Sequence, residues 1–186
     1  HPLTQEVVYK SLLIKERQAI HEQIAIVMEQ LFQDRIPEFC ETLAFHYKQG
    51  RSVRKAAHYL TQSGEKSLRR YAVEESHQHF KEAFELLSNK SERTKEEDGL
   101  LIDLLMKWAL VFYYRGDFKG LINLLNAHKH LAEALEDKPR LGMFLAWQGW
   151  SLFNRHRYRE SYDYLHKALV LGEEIQNQQL IGYACG

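Results

Sequence analysis

The ten histidines are the residues of this sequence with the widest chemistry, because imidazole can bind a metal ion or move a proton near neutral pH. Two imidazoles of one helix converge on a metal when they are about one helical turn apart. His77 and His79, like His128 and His130, are two residues apart, so their side chains diverge by about 200°. We therefore expect no metal centre, and we expect His128, which lies on an apolar stripe, to be a packed histidine.

Acidic residues in short runs could act as the general acids and bases of a hydrolase. The runs begin at Glu74, Glu96 and Glu173, and they lie at predicted helix starts or at exposed positions. Solvation and the helix dipole explain acidic residues at such places without catalysis. The sequence also contains no GxSxG, HExxH or glycine-rich phosphate loop. We predict that the chain is not an enzyme and has no cofactor, with a hydrolase or metalloenzyme as the lowest-ranked alternative.

The two cysteines, Cys40 and Cys185, lie near opposite ends of the sequence and form no CxxC motif. Neither a disulfide framework nor a zinc knuckle is therefore predicted. Cys40 lies on an apolar stripe, which favours a buried, inert thiol over a nucleophile. This cysteine usage indicates a reducing compartment, and we expect a cytoplasmic protein.

The charge balance argues against a general nucleic-acid binder, because 25 basic residues offset 25 acidic ones in 186 residues. The most basic stretch could still contact single-stranded RNA through its cations and aromatic rings. It contains Arg51, Arg54, Lys55, Lys66, Arg69 and Arg70, with Tyr59 and Tyr71. Since the surrounding charges cancel, we expect a solvated helix face, with an acidic partner or phosphate-bearing ligand as the alternative. No apolar run approaches the roughly 20 residues that span a bilayer, so no membrane association is expected.

Apolar residues recur at intervals of three and four along most of the chain, which predicts about nine helices and no strand. A first short helix is expected at residues 5–13, and the next carries a stripe from Ile20 to Leu31. The remaining stripes predict helices over 36–47, 53–68, 73–87, 101–112, 118–131, 141–152 and 158–169. Short polar links between them imply antiparallel neighbours.

Several residues signal where these helices begin and end. Gly50 is expected to close one helix in a left-handed turn after Gln49, and Ser52 is expected to cap the next. The other signals are a capping box at Thr94 and Glu97, a turn at Gly116 and Asp117, and a first-turn proline at Pro139.

A spacing with offsets of 0, 12, 16 and 19 occurs three times in the chain. The small first residue is expected where two helices of a hairpin approach closely, and the residue at offset 12 where the return helix begins its inner face. The residues at the last two offsets are expected to face the neighbouring hairpin. The sets are Gly64, Ser76, Phe80 and Ala83; Ala109, Leu121, Leu125 and His128; and Gly149, Ser161, Leu165 and Ala168.

These units resemble tetratricopeptide (TPR) repeats, whose pattern W-x2-L-G-x2-Y…A-x3-F…P they match in part. The last unit matches best, through Gln148, Gly149, Leu152, Tyr158, Ser161, Leu165 and Ala168, and the unit before it matches through Trp108, Ala109, Phe112, Gly116, Asp117 and Phe118. His128 and Leu121 depart from the small residues of the pattern, and the closing proline is missing except for Pro139, so we expect either divergence from the pattern or locally wider helix packing. The resemblance covers about residues 37–186 and implies an all-α, right-handed superhelix of antiparallel helical hairpins.

The opening residues carry a second resemblance, through His1–Leu3, Gln5–Val7, Tyr9 and Leu12–Leu13. They are similar to the junction after the ATPase module in bacterial signalling proteins of the STAND or AAA type, some of which also contain a cyclase, kinase or DNA-binding domain. The phosphate-binding loop of such an ATPase is absent from this sequence. We therefore expect residues 1–35 to be N-terminal helices after a missing upstream module, and residues 36–186 to be a repeat array truncated at its C-terminal end.

In the TPR family the first helix of each hairpin lines the concave surface. The resemblance therefore implies a non-enzymatic protein-interaction and regulatory scaffold that binds a peptide or partner domain there. Aromatic residues surround two of these first helices, which is typical of a helix within a stack or of one that borders a groove. The expected contact residues are Met106, Leu110, Tyr113, Tyr114, Met143, Trp150, Phe153 and Asn154.

Two further hypotheses stay open at this point. The array could instead sense a small molecule and control an attached ATPase or effector domain, in which case we expect a closed apolar pocket. It could also self-associate through the apolar surface of Leu180, Ile181 and Tyr183.

Overall fold

The computed structural model describes residues 13–89 and 92–185, and all regular secondary structure in these ranges is helical. The all-α part of the predicted fold is therefore confirmed. Most of the helix predicted at 5–13 lies outside the described residues, and Leu13 precedes the first described helix. Among the described helices, none combines the length and the apolar character that crossing a membrane requires. The chain divides into two compact units, the first ending at Asn89 and the second beginning at Lys90.

The first unit contains four α-helices in its described part. They are α1 (Ile14–Leu31), α2 (Ile36–Gln49), α3 (Val53–Arg69) and α4 (Val73–Ser88), and a 3-10 helix at Gln33–Arg35 connects α1 to α2. Within this unit, α1 packs on α2, α2 on α3 and α3 on α4. Small side chains such as Ala25, Ala56 and Ala83 are fully buried between these helices, beside large ones such as Leu43 and Phe80.

The second unit contains five α-helices in its described part. They are α5 (Lys95–Arg115), α6 (Phe118–Ala134), α7 (Lys138–Phe153), α8 (Tyr158–Glu174) and α9 (Gln178–Cys185). Consecutive helices contact one another, and α7 also contacts both α5 and α9. The first helices of successive hairpins are therefore neighbours, which places α7 between α5 and α9.

One kind of turn connects most of the helices. A single residue with φ between 52° and 68° lies two positions before the next helix, and in the second unit these residues recur every 20 positions. Five of the turns contain the bond of a Schellman motif, as in Arg157 N–H to Leu152 O at 3.0 Å. The left-handed residues are Arg51, Tyr71, Gly116, Glu136, His156 and Gln176. The turn predicted at Gly116 is confirmed, whereas the other five use residues for which a positive φ is costly.

The expected close approach of two helices is found in two of the three hairpins. A Cβ atom added to Gly64 would lie 2.9 Å from the Phe80 ring, and one added to Gly149 would lie 2.6 Å from Leu165 Cγ. The side chain at offset 16 thus packs on the glycine of its own hairpin. We expected Phe80 and Leu165 to face the neighbouring hairpin, whereas these contacts are with the glycine of their own hairpin.

A serine fixes the register of the same two hairpins. The Ser76 hydroxyl donates to the carbonyl oxygen of Gly64 at 2.7 Å, and the Ser161 hydroxyl donates to that of Gly149 at 2.9 Å. Both serines are buried, so leaving their hydroxyls without these acceptors would be costly. The glycine and the serine twelve residues later therefore form one repeated helix contact.

The third hairpin has Ala109 and Leu121 at the positions of this glycine and serine, so it lacks both the glycine and the serine hydrogen bond. Helices α5 and α6 contact each other over fewer residues than α3 and α4 or α7 and α8 do. The wider packing expected from Leu121 is thus found in this hairpin. A leucine at this position cannot donate to a carbonyl, and it needs more space than a serine.

The helix signals were mostly correct, with two corrections in the first unit. The capping box of Thr94 and Glu97 is present, and Pro139 lies in the first turn of α7. Gly50, however, has a right-handed φ of −74°, and the left-handed residue is Arg51. A close helix contact explains the glycine at position 50, since a Cβ atom there would lie 3.1 Å from the backbone nitrogen of Glu22 in α1.

Ser52 occupies the residue before α3, as predicted, but its side chain makes no capping bond. Its hydroxyl instead donates to Glu22 Oε1 at 2.5 Å. The apolar stripe of α1 also differs from a core stripe, because His21 and Ala25 are buried while Ile24 and Val27 are exposed. Helix α1 therefore packs on its neighbours through a face of small and polar side chains.

We predict that Gly149→Ala destabilises the protein by about 1–3 kcal/mol, because the new methyl group would overlap Leu165 at the helix contact. Gly182→Ala is the matched control. It adds the same methyl group to α9, where nothing lies within 4 Å, and should be neutral or stabilise by up to about 1 kcal/mol. Urea unfolding followed by circular dichroism measures both, and equal stability of the two variants would contradict the close helix contact.

Candidate functional site

An open groove lies on the second unit, along the three first helices α5, α7 and α9. Its volume is about 510 Å³, which is within the range of known ligand sites. Helices α5 and α7 each provide two lining residues, and α9 provides four. The lining residues are Leu110, Tyr113, Trp147, Trp150, Gln178, Gln179, Gly182 and Tyr183.

Three of the eight predicted contact residues line this groove, namely Leu110, Tyr113 and Trp150. Tyr114 and Phe153 are exposed beside it, and their rings contact Tyr113 and Trp150 edge to face at centroid distances of 6.0 and 5.8 Å. The other three do not line the groove. Met106, Met143 and Asn154 are half-buried, and the Asn154 side chain donates to the carbonyl of Trp150 in its own helix. A binding role for the predicted residues stays a prediction.

The sequence reasoning missed five lining residues. Trp147 precedes Trp150 by three positions and therefore lies on the same helix face, a signal that could have identified it. The residues of α9 had no such signal, because their part in the groove depends on how α9 packs against α7. The missed α9 residues are Gln178, Gln179, Gly182 and Tyr183.

Two glycines determine how closely α9 approaches the rest of the unit. A Cβ atom on Gly142 of α7 would lie 2.2 Å from Leu180 Cδ2, and one on Gly172 of α8 would lie 3.3 Å from Leu180 Cγ. Leu180 is 1% exposed and belongs to a buried cluster with Leu145 and residues of α8. The Leu180 side chain therefore seats α9 on both α7 and α8.

A hydrogen bond at the groove itself adds to this contact. The indole N–H of Trp150 donates to the carbonyl oxygen of Tyr183 at 2.8 Å. At the other end of α9, the Asn177 side chain accepts from the amide of Leu180 and caps the helix. Trp150 thus both lines the groove and holds the α9 wall in place.

The α5 wall is held by a charged contact. Arg140 at the start of α7 donates to both carboxylate oxygens of Asp103 in α5, at 2.8 and 2.9 Å, and also to Asp137 at 2.6 Å. The hydrogen bonds with Asp103 raise the pKa of Arg140 above its ordinary value, so the guanidinium stays charged. Its bidentate geometry fixes the orientation of α5 relative to α7.

The lining of the groove contains few reactive groups. None of its eight lining residues carries a carboxylate, ammonium, guanidinium or imidazole group. Half of them are aromatic, and the only other side-chain polar groups are the amides of Gln178 and Gln179. Such a lining suits recognition by packing and neutral hydrogen bonds.

The residues considered for catalysis make ordinary structural contacts. Asp98 pairs with Arg93 at 2.7 Å, Glu75 pairs with Arg70 at 3.4 Å, and Glu174 pairs with Lys138. Within the described ranges, no group of three or more His, Cys, Asp or Glu residues could hold a metal ion. His128 is half-buried, and its Nδ1 is 2.8 Å from the carbonyl oxygen of Leu124.

The basic stretch is divided by the helix that carries it. Its first members precede or begin α3 and its last members lie at the end of that helix, so about 16 Å of helix separates the nearest members, Lys55 and Lys66. Two of its lysines contact acids of neighbouring helices, Lys55 with Glu29 and Lys66 with Glu41. Tyr59 is only 6% exposed and is therefore no stacking platform.

A polar cluster connects α1, α2 and α3 in the first unit. Glu29 accepts hydrogen bonds from the Tyr59 hydroxyl and from Lys55, whose nitrogen is 2.7 Å from both carboxylate oxygens. The Tyr47 and Tyr59 rings stack at a centroid distance of 5.7 Å. Burial would raise the pKa of Glu29, but the bonds from Lys55 and Tyr59 outweigh it and lower the pKa. The cluster holds α1 in place, and Glu29 stays ionised at neutral pH.

Two histidines 25 positions apart meet in the same unit, which no local spacing could indicate. The Nδ1 atoms of His21 in α1 and His46 in α2 are 2.9 Å apart, a distance at which one ring donates a hydrogen bond to the other. Burial lowers the pKa of His21, and burial together with the charge of His21 lowers that of His46. The hydrogen bond requires at least one neutral ring.

Cys40 is fully buried in α2, as predicted. Burial is the main cause that raises the pKa of its thiol above the ordinary value. The thiolate is therefore disfavoured, and its sulfur donates to the carbonyl of Pro37 at 3.3 Å. The prediction of a buried thiol is confirmed.

The sequence matches no protein-family model and no curated protein.

We predict that the first unit loses stability as the pH falls below the ordinary histidine pKa of about 6.5. The folded state lowers the pKa values of His21 and His46, so the unfolded chain binds protons first and is favoured by acid. This stabilisation is complete above the unfolded pKa and decreases as the pH approaches the folded values. Denaturant unfolding between pH 7.5 and 5 measures it.

The control is the double variant His21→Gln, His46→Gln, which removes both titrating rings at the contact. It should show a flatter dependence of unfolding free energy on pH over the same interval. An unchanged slope in the double variant would show that other groups cause the acid effect.

Proposed function

We propose that the chain is a non-enzymatic interaction module that binds a peptide or a segment of a partner domain in the groove formed by α5, α7 and α9. The single observation that carries this proposal is the lining itself: four aromatic residues and two glutamines converge on one open groove. Tyrosine and tryptophan are the residue types that most often anchor a protein partner. The absence of ionisable acids and bases from the lining supports binding over catalysis.

The proposed architecture is a TPR-like array whose hairpins follow one another in a right-handed superhelix. Its support is the repeated glycine and serine contact, the recurring left-handed turn and the neighbouring first helices. In such an array the first helices form the concave surface. The groove is lined by first helices only, which is the location that a TPR-like array would use for a partner.

The larger setting is also a proposal. The similarity of residues 1–13 to a junction after an ATPase module favours a cytoplasmic bacterial signalling protein of the STAND or AAA type. In that setting, occupation of the groove would shift the population of active and inactive states of the whole protein. Its partner could then be another protein or another domain of the same chain.

A small-molecule sensor is the alternative, and the groove volume of about 510 Å³ favours it specifically, because drug-sized ligands bind in sites of this size. The open form of the groove supports the peptide instead, since a sensor would enclose its ligand. The sensor hypothesis predicts an uncharged compound that raises the melting temperature and competes with any peptide bound in the groove.

We predict that Tyr113→Ala raises the Kd of a groove-binding peptide at least about tenfold, because it removes an exposed aromatic anchor from the lining. The peptide would be selected by phage display on the purified protein and measured by calorimetry. Tyr162→Ala in α8 is the matched control, since this tyrosine is 66% exposed and does not line the groove. If both variants bind the selected peptides as the unmodified protein does, the groove is not the binding site.

A further inference from the structure

The lining of the groove carries no charge, which favours an uncharged ligand. A charged ligand side chain in the groove would lose part of its hydration and meet no opposite charge among the eight lining residues. The side chains that do line it are the rings of Tyr113, Trp147, Trp150 and Tyr183, the amides of Gln178 and Gln179, and Leu110. The part of the ligand that lies in the groove is therefore uncharged and offers flat, apolar groups to aromatic faces.

The polar groups of the lining distinguish between ligand conformations. The indole N–H of Trp150 already donates to Tyr183, which leaves the indole N–H of Trp147, the two glutamine amides and the tyrosine hydroxyls as donors toward a ligand. An α-helix satisfies its own backbone carbonyls and would make little use of these donors. A polyproline II segment has no internal hydrogen bonds and exposes its carbonyl oxygens. The donors of the groove match that conformation.

The spacing of the helices sets the length of the bound segment. Packed helices lie about 8–10 Å apart, so the axes of α5 and α9 on either side of α7 are separated by roughly 16–20 Å. A polyproline II chain rises about 3.1 Å per residue, and five to six residues therefore cross the groove. A chain crossing these helices would meet aromatic residues from each of them in turn.

We propose that the groove binds an uncharged, proline-rich segment in the polyproline II conformation, with proline rings against the tryptophan and tyrosine faces and carbonyl oxygens toward the glutamines. Proline suits this site because it has no backbone N–H that would need an acceptor. A proline-rich chain is also already ordered before it binds. Aromatic grooves use the same physical principle wherever they bind proline-rich chains. This inference rests on the proposed binding function of the groove.

Gly182 provides a variant that blocks the groove without disturbing the helix contact. It lines the groove, and a Cβ atom built on it has no neighbour within 4 Å. Gly182→Leu therefore projects a side chain into the space that the ligand would occupy. Tyr162→Leu is its matched control, because it places the same leucine side chain on α8 at a position that is 66% exposed and does not line the groove.

The test is fluorescence polarisation of a labelled, uncharged nonaproline peptide with the full chain. We expect saturable binding that changes little between 50 and 500 mM salt, because no ion pair contributes. We expect Gly182→Leu to weaken binding at least about tenfold and Tyr162→Leu to retain it. Circular dichroism establishes that both variants keep the helical fold.

The outcomes separate this inference from the proposed function. If peptides from the phage selection bind in the groove and nonaproline does not, the proline-rich ligand is overturned while the binding function stands. An uncharged amphipathic helical peptide that binds more tightly than nonaproline, and is blocked by Gly182→Leu, overturns it in favour of a helix. Nonaproline binding that Gly182→Leu leaves unchanged overturns the site, and no binding of any peptide overturns both proposals.

Discussion

The close approach of helices at positions without a side chain is the constraint on which the second unit depends. Gly149 allows Leu165 to lie against the backbone of α7, and Gly142 and Gly172 together accept Leu180. A methyl group added to Gly149 would overlap Leu165 and one added to Gly142 would overlap Leu180, so the distance between the helices at these two contacts has little freedom. These contacts also fix the positions of most groove residues, because α7 and α9 provide six of the eight residues that line the groove.

The opposite wall is constrained differently. Helix α5 belongs to the hairpin in which Ala109 and Leu121 replace the glycine and serine, and its contact with α6 is less extensive. Its connection to α7 includes the partly exposed pair of Arg140 and Asp103. A charged pair at a partly exposed position fixes orientation more than it adds stability. We expect the α5 wall, which carries Tyr113, to adjust more readily to a ligand than the α9 wall does.

Local patterns predicted most of the helices, since apolar spacing and caps act within a few residues. They also predicted the contacts at Gly64 and Gly149, because a repeated spacing shows which positions of two successive helices must meet. They could not assign Gly50, whose small size is required by α1 rather than by its own turn. The groove could be predicted only in part for the same reason, since α9 contributes through tertiary packing that depends on Leu180. The pair of His21 and His46 depends likewise on two helices that meet far apart in sequence.

The distribution of ionisable groups is the strongest physical support for the proposed recognition function. A reaction centre needs acids, bases or nucleophiles that converge in a concave site. In the described chain, ionisable groups pair either across helix contacts, as Glu29 does with Lys55, or with a residue a few positions away, as Arg157 does with Glu160. These groups are engaged in ion pairs outside the groove, whereas the groove is lined by rings and amides. Rings and amides neither transfer protons readily nor act as nucleophiles at neutral pH, so what the lining offers a ligand is shape and hydrogen bonding, in agreement with the proposed binding function.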